Sequence, residues 1–195
     1  MQACRLSARD LACRRGDRVL FAGLSFTLEP GQALQLAGPN GIGKSSLIRI
    51  LAGLLRPYAG VVERQGEIGL LDERLALDEH RPLGKALGFW RAIDDHRALG
   101  RGGIDVLGLA DLLDVPVRYL STGQRKRAAL ARLITRHAPV WLLDEPLNGL
   151  DADAVKLVGD LVEDHCNAGG IAVIASHQTF ALPVLKQLPL AEFAP

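Results

Sequence analysis

The sequence predicts an α/β fold with a parallel sheet at its core. Residues 140–143 (VWLL) and 171–176 (IAVIAS) are continuous apolar runs, which are typical of strands covered on both faces. Residues 151–165, between these runs, have a helical pattern. A strand, a helix and a second strand in succession favour a parallel pair, because the crossover helix returns the chain in the same direction.

The first part of the chain fits the same scheme. Residues 24–28 (LSFTL) alternate like a half-buried strand, Pro30 and Gly31 predict a turn, and residues 32–37 form a second predicted strand. Apolar residues at helical spacing then predict a helix that ends at Pro57 and Gly60. Its apolar positions are Leu47, Ile48, Ile50, Leu51, Leu54 and Leu55. Short strands are predicted at residues 61–62 and 67–71.

The middle of the chain is predicted to be helical. Residues 82–119 have a helical pattern that Gly and Pro interrupt, and residues 120–137 form a continuous helix. This helix has an apolar stripe at Leu130, Leu133 and Ile134, which is expected to face the core of the protein. The basic run Arg125-Lys126-Arg127 is interpreted as its solvated face.

Composition bounds the class of protein. The chain has 195 residues, 48% of them hydrophobic, and a net charge of +1, so one soluble domain with a real core is expected. That charge does not favour bulk electrostatic binding to nucleic acid, and no nucleic-acid partner is expected.

Cys4, Cys13 and Cys166 form no CxxC pair and are expected to be free thiols in a reducing cytoplasm. No apolar run approaches the roughly 20 residues of a membrane span, and the charged N-terminus does not resemble a signal peptide.

Residues 38–45 (GPNGIGKS), called the phosphate loop below, fit the pattern GxxxxGK[ST] between a strand and a helix. Glycines allow consecutive backbone N–H groups to surround a phosphate, and the helix N-terminus adds partial positive charge. Lys44 can reach the β- and γ-phosphates, and the Ser45 hydroxyl can ligate Mg²⁺. The predicted nucleotide-binding residues here are Gly38, Pro39, Asn40, Gly41, Ile42, Gly43, Lys44, Ser45 and Ser46.

The strand at residues 140–143 ends in two carboxylates, Asp144 and Glu145. The carboxyl ends of buried parallel strands face the ligand crevice. Asp144 is therefore predicted to hold the Mg²⁺ shell together with Ser45. Glu145, one residue further on, is predicted to be the general base that polarises the attacking water.

Residues 120–124 (LSTGQ), called the signature segment below, admit two interpretations. In isolation they form a helix cap, with Ser121 as N-cap and Gln124 at the capping-box position. Their order between the two nucleotide motifs instead resembles the LSGGQ signature of ATP-binding cassette (ABC) ATPases, with Thr122 in place of the first Gly. The resemblance implies that Ser121, Gly123 and Gln124 contact the ATP held by a second copy in a head-to-tail homodimer.

Other family marks follow in order. Residues 145–151 (EPLNGLD) resemble the family segment that ends in the D-loop of the dimer interface, with Asn148 and Gly149 in place of the common Ser-Ala. The resemblance implies that Asp151, at the end of this segment, is a further nucleotide-binding residue. His177, directly after the apolar run, matches the family's switch histidine, a γ-phosphate contact. The four histidines elsewhere, namely His80, His96, His137 and His165, are expected at the surface.

The resemblance covers essentially the whole chain and implies an ABC-type P-loop NTPase. It implies one ABC ATPase domain at residues 1–195, with an N-terminal antiparallel β part and a helical subdomain inserted at approximately 78–125. Within the family the chain is most similar to the short ATPase subunits of the haem exporter of cytochrome c maturation. An ATPase with ATP and Mg²⁺, integral-membrane permease partners and a peripheral location on the cytoplasmic face of the inner membrane are therefore expected.

Two positions depart from the family pattern. The adenine-stacking aromatic residue is replaced by Arg15, whose guanidinium plane could stack on the base instead. The glutamine that contacts the Mg²⁺–water shell and leads into the helical subdomain is replaced by Arg74. Arginine has no acceptor for a metal. Arg74 could contact the γ-phosphate or pair with a carboxylate, and Asp72 or Glu73 could take the metal-side role. A plain solvated loop is the alternative.

Two other functions remain open from the sequence. One is a soluble ABC-type ATPase that acts on DNA or ribosomes, although the chain has neither a second cassette nor a basic extension. The other is a weakly hydrolysing adaptor with a non-transport role, which the two departures suggest. Retention of Lys44, Asp144, Glu145 and His177 favours hydrolysis over the adaptor.

Overall fold

The computed structural model describes residues 4–72, 76–94, 102–178, 180 and 185–195. Its strands are β1 (Arg5–Arg15), β2 (Arg18–Leu28), β3 (Ala33–Ala37), β4 (Ala59–Gln65), β5 (Ile68–Leu71), β6 (Val140–Asp144), β7 (Ile171–Ala175) and β8 (Leu185–Pro189). Its α-helices are α1 (Lys44–Leu51), α2 (Leu83–Ile93), α3 (Gly102–Val106), α4 (Thr122–Thr135) and α5 (Ala152–Asn167). Short 3-10 helices lie at Ala110–Leu112, Val117–Tyr119 and Leu190–Phe193.

The predicted parallel sheet is confirmed. In the described part of the chain it has the strand order β5-β6-β7-β3-β8, and every neighbouring pair is parallel. All residues of β6 and β7 are buried, as their continuous apolar sequences predict. Since β3 and β6 both end at the same edge, the phosphate loop and the two carboxylates after β6 come together there.

A second, antiparallel sheet of order β2-β1-β4 packs on one face of the parallel sheet. Successive residues of β6 point into two separate cores: Val140 and Leu142 join the core of the antiparallel sheet and α1, and Trp141 and Leu143 join the core of α4 and α5. Because both faces of β6 are buried, no position in its apolar run is left for a polar residue.

Helix α1 is shorter than predicted: it ends at Leu51, whereas the apolar spacing continues to Leu55. Arg64, on β4, donates hydrogen bonds to the carbonyls of Ile50 and Leu51 at 2.6 Å each. These carbonyls are the acceptors that a further helical turn would use. Leu54 is consequently outside the helix and 67% exposed.

His165 was predicted at the surface, and that prediction is wrong. It lies on α5 with its ring stacked on Trp141, at a centroid distance of 3.9 Å and an interplanar angle of 10°. Its Nε2 is 3.2 Å from the carbonyl of Ile171. Burial lowers the pKa of His165 from 6.5 to about 4. His80 and His137 are exposed as predicted, and His96 lies outside the described residues.

The depressed pKa of His165 predicts a pH dependence of folding stability. Its folded pKa of about 4 lies below the unfolded value of 6.5, so the unfolded state binds the additional proton between these pH values. We expect the free energy of unfolding to fall as the pH is lowered from 6.5 towards 4, by at most ~1.4 kcal/mol per pH unit from this group. Urea unfolding at a series of pH values measures this free energy for the protein and for His165→Phe, a variant that keeps a stacking ring but does not titrate. Identical slopes in both proteins would contradict the assignment.

Candidate functional site

The phosphate loop connects the end of β3 to the start of α1. Gly43, the N-cap of α1, has a φ of 116°, and a Cβ there would lie 3.2 Å from the ring of Phe21. A side chain at this position would strain the backbone and press on the ring of Phe21. Lys44 is 6% exposed, and its Nζ donates to the carbonyls of Gly38 at 2.7 Å and Pro39 at 3.3 Å. The loop thus encloses an ammonium group beside its backbone N–H groups, which suits a phosphate.

Ser45 and Asp144 come into contact at the sheet edge. The Ser45 Oγ donates to Asp144 Oδ1 at 2.9 Å, and Asp144 is 4% exposed at the end of β6. A hydroxyl and a carboxylate are oxygen donors of the kind that Mg²⁺ prefers. The pair predicted to hold Mg²⁺ is therefore adjacent, and its chemistry fits that ion.

Glu145 follows β6 in an unusual conformation. Its φ of 46° is in the left-handed region, which non-glycine residues seldom adopt. Its N–H donates to the carbonyl of Ala175 at 2.8 Å. Its Oε2 is 3.0 Å from Nδ1 of His177, and because an ionised carboxylate only accepts, Nδ1 is the donor when Glu145 is charged. The predicted base and the predicted switch histidine therefore form one hydrogen-bonded pair.

A cavity of about 350 Å³ unites these groups. The phosphate loop supplies one side, through Asn40, Gly41, Gly43, Lys44, Ser45 and Ser46. Glu145 and His177 face it from the other side, together with Asn148 and Leu20. Leu20 and Asn148 are not among the predicted site residues. Asn148 carried a detectable signal, since it replaces the common Ser of the family segment.

A second cavity, of about 460 Å³, adjoins the first and shares Leu20, Asn40 and Gly41 with it. Arg18 lines this cavity, and Arg15 lines neither cavity. The two arginines are paired across the hairpin between β1 and β2. In this hairpin Arg18 is the arginine that lies next to the phosphate loop, and the role of Arg15 in stacking on adenine stays a prediction. Arg74 lies outside the described residues.

The signature segment and Asp151 lie apart from the phosphate-loop cavity of their own chain. Ser121 and Gln124 form the capping box at the start of α4: Gln124 N–H donates to Ser121 Oγ at 3.2 Å, and Ser121 N–H donates to Gln124 Oε1 at 2.8 Å. Asp151 caps α5 by accepting from Ala154 N–H at 2.8 Å. The helix-cap interpretation is therefore correct for the contacts within the chain. It does not conflict with a contact between the signature segment and a second copy.

The interpretation of the basic run in α4 as wholly solvated is wrong at Lys126. This side chain is 8% exposed, and its Nζ donates to the backbone carbonyl of Glu145 at 2.9 Å. Its neighbours Arg125 and Arg127 are half-buried and donate to carbonyls of the preceding segments, among them Leu120 and Leu107. The signal that separates Lys126 from these arginines is its spacing, because Leu130 and Leu133 lie four and seven residues further along the helix and so share its face.

The chain is similar to known proteins at the levels of family, sequence and structure. The ABC transporter family model matches residues 21–148. A cytochrome c biogenesis ATP-binding export protein, CcmA, of Novosphingobium aromaticivorans is 62% identical over 195 residues, with 100% of both chains covered. The CcmA protein of Zymomonas mobilis subsp. mobilis is 49% identical over 97% of this chain and 86% of its own.

A solved structure of the ATP binding subunit of an ABC transporter superposes with a TM-score of 0.79, at 20% identity, over 88% of this chain and 79% of that chain. This likeness supports the fold. None of the helices in the described part of the chain has the length and hydrophobicity needed to cross a bilayer. On the family match and the full-length identity, the chain belongs to the ABC transporter family, among the cytochrome c biogenesis ATP-binding export proteins.

Proposed function

We propose that the chain is the ATP-hydrolysing subunit of a membrane complex that serves cytochrome c biogenesis. The assignment of ATP hydrolysis rests on one observation: Lys44, Ser45, Glu145 and His177 all line the same cavity. The assignment to cytochrome c biogenesis rests on the similarity to a cytochrome c biogenesis ATP-binding export protein over the full length of both chains.

Each side chain has a defined task in this proposal. The phosphate loop binds the β- and γ-phosphates through backbone N–H groups and the Lys44 ammonium. Ser45 and Asp144 would hold Mg²⁺, which when bound neutralises charge on the phosphate oxygens. Glu145 accepts a proton from the attacking water, and His177 holds the Glu145 carboxylate in place through the 3.0 Å contact.

A second copy completes the site in the proposal. The signature segment and Asp151 do not line the cavity of their own chain, although the family resemblance assigns both to nucleotide contacts. A head-to-tail homodimer places the signature segment of one copy over the phosphate loop of the other. The capping box presents the N-terminus of α4, with its partial positive charge, to the γ-phosphate held by the partner.

The proposed location is peripheral, on the cytoplasmic face of the inner membrane, against integral permease subunits. Residues 72–119 would form the contact, with Arg74 and the helical subdomain at approximately 78–125 among them. Asp72 and Ala76, at the start of this range, line an open cavity of about 570 Å³ together with Leu54, Arg132 and Arg136. The proposed cargo is haem or a haem–chaperone complex, on the basis of the family resemblance.

The proposal predicts both membrane recruitment and a maturation phenotype. In bacteria whose own cytochrome c biogenesis ATP-binding export protein is deleted, we expect this chain to restore haem-stained c-type cytochromes. In the same cells it should co-purify with integral subunits from membranes solubilised in mild detergent. Lys44→Met should be recruited equally but restore no cytochrome, because recruitment does not require hydrolysis. Protein that stays wholly in the soluble fraction and restores nothing would refute the proposal.

A further inference from the structure

Lys126 is a buried cation that the proposed hydrolytic mechanism does not use. It is the fifth residue of α4 and 8% exposed, and its Nζ donates to the backbone carbonyl of Glu145 at 2.9 Å. Burial of an ammonium group is unfavourable unless hydrogen bonds replace its water. A lysine at such a position is therefore held by specific geometry, and here that geometry includes the residue proposed as the general base.

The backbone of Glu145 requires such support. Its φ of 46° is costly for a residue with a side chain, and it persists only where surrounding contacts fix it. Both of its backbone groups are held: the N–H donates to the carbonyl of Ala175 at 2.8 Å, and the Glu145 carbonyl accepts from Lys126 Nζ at 2.9 Å and, over a longer 3.4 Å, from the N–H of Asn148. The two peptide groups that flank Glu145 fix its Cα, and with it the direction in which the side chain leaves the backbone.

The start of α4 also fits closely against the loop that follows Glu145. A Cβ on Gly149 would lie 3.1 Å from Cγ2 of Thr122, and a Cβ on Gly123 would lie 3.0 Å from the carbonyl of Gly149. Thr122 and Gly149 are both departures from the family pattern, and they contact each other. The threonine methyl occupies the space that glycine leaves, so the signature segment and this loop are one packed unit.

We propose that Lys126 is a positioning residue that links the signature helix α4 to Glu145 of the same chain. The start of α4 faces the nucleotide of the opposite site in the proposed dimer, and Lys126 lies one turn further along the same helix. A shift of the α4 N-terminus on closure over that nucleotide is carried by the Lys126 ammonium to the Glu145 carbonyl. Glu145 is thereby oriented for hydrolysis only when the opposite site is closed. This inference rests on the proposed role of Glu145 as general base.

The test is Lys126→Met, which keeps the length of the side chain and removes the donor. We expect kcat for ATP hydrolysis to fall by about tenfold or more, since small displacements of a catalytic group have effects of this size. Affinity for a fluorescent ATP analogue should stay within about twofold, because Lys126 does not line the nucleotide cavity. Lys126→Arg, which retains a charged donor, should restore most of kcat. Lys156→Met, an exposed lysine on α5, is the matched control and should leave kcat unchanged.

A double variant separates positioning from general structural damage. In a Glu145→Gln background there is no base to position, so adding Lys126→Met should reduce the residual rate by less than about twofold. An equal loss in both backgrounds, or a loss of analogue affinity in step with kcat, overturns the inference. If Lys126→Met yields no folded protein, Lys126→Leu, which also lacks a donor, carries the same comparison.

The outcomes also distinguish this inference from the proposed function. If Glu145→Gln alone leaves hydrolysis intact, the proposed role of Glu145 fails. If Glu145→Gln abolishes hydrolysis and Lys126→Met has no effect on it, the proposed function stands and only the link through Lys126 fails.

Discussion

Replacement of Glu145 by Gln should reduce ATP turnover by about 10²–10⁴-fold, the range that a positioned general base contributes. Gln has nearly the same shape, so it can keep the place of Glu145 beside His177, but its amide oxygen does not take a proton from water. The phosphate loop is unchanged, so ATP should bind normally. Without hydrolysis the ATP-bound form should accumulate as a dimer. Phosphate release measures the first effect, and light scattering with Mg²⁺ and ATP measures the mass.

His177→Ala is the matched comparison for Glu145→Gln. It removes the partner of the Glu145 carboxylate, which lies 3.0 Å away, and leaves the base in place. We therefore expect a smaller loss of turnover from His177→Ala than from Glu145→Gln. Undiminished turnover in Glu145→Gln, or a larger loss from His177→Ala, would assign the role of base to another group.

Lys44→Met should weaken ATP binding by about 10–150-fold, which corresponds to the ~1.5–3 kcal/mol of a hydrogen bond to a charged group. Lys44 is 6% exposed, and its ammonium is held within the phosphate loop by the carbonyls of Gly38 and Pro39. Methionine can fill the same volume, so the loop should keep its course and lose the charge. Isothermal titration with ATP gives the affinity of each protein directly.

Ser45→Ala provides the control, because its hydroxyl is assigned to the metal and not to the phosphate. It should bind ATP as the unchanged protein does in EDTA and should lose most of the gain in affinity that Mg²⁺ produces. A thermal scan checks that both variants remain folded. Equal affinities of Lys44→Met and the unchanged protein for ATP would contradict the placement of the phosphates in this loop.

The elements that the sequence predicted well are those whose signal lies in consecutive residues. β6 and β7 are buried on both faces, so each is a continuous apolar run whatever the rest of the chain does. The phosphate loop is likewise local, because glycines at fixed spacing and the following helix make the binding geometry themselves. The capping box of α4 uses residues three apart and was predicted for the same reason.

β1 was not predicted, and its irregularity explains the failure. Its register with β2 shifts between Ala8 and Leu11, and Asp10 has a φ of 51°. Bulges of this kind interrupt the period of two by which a half-buried strand is recognised. Pairing with both β2 and β4 holds the strand together, and these partners are distant in sequence.

Short stretches of sequence were enough to predict the phosphate loop, the carboxylates after β6, the histidine after β7 and the α/β frame that holds them. Other contacts are visible only in the folded chain. Arg64 ends α1, Trp141 covers His165, Arg18 lies beside the phosphate loop, and Lys126 holds Glu145. Each of these contacts joins residues that are distant in sequence. The spacing of apolar residues indicates which positions are buried, but it does not indicate which partners they meet.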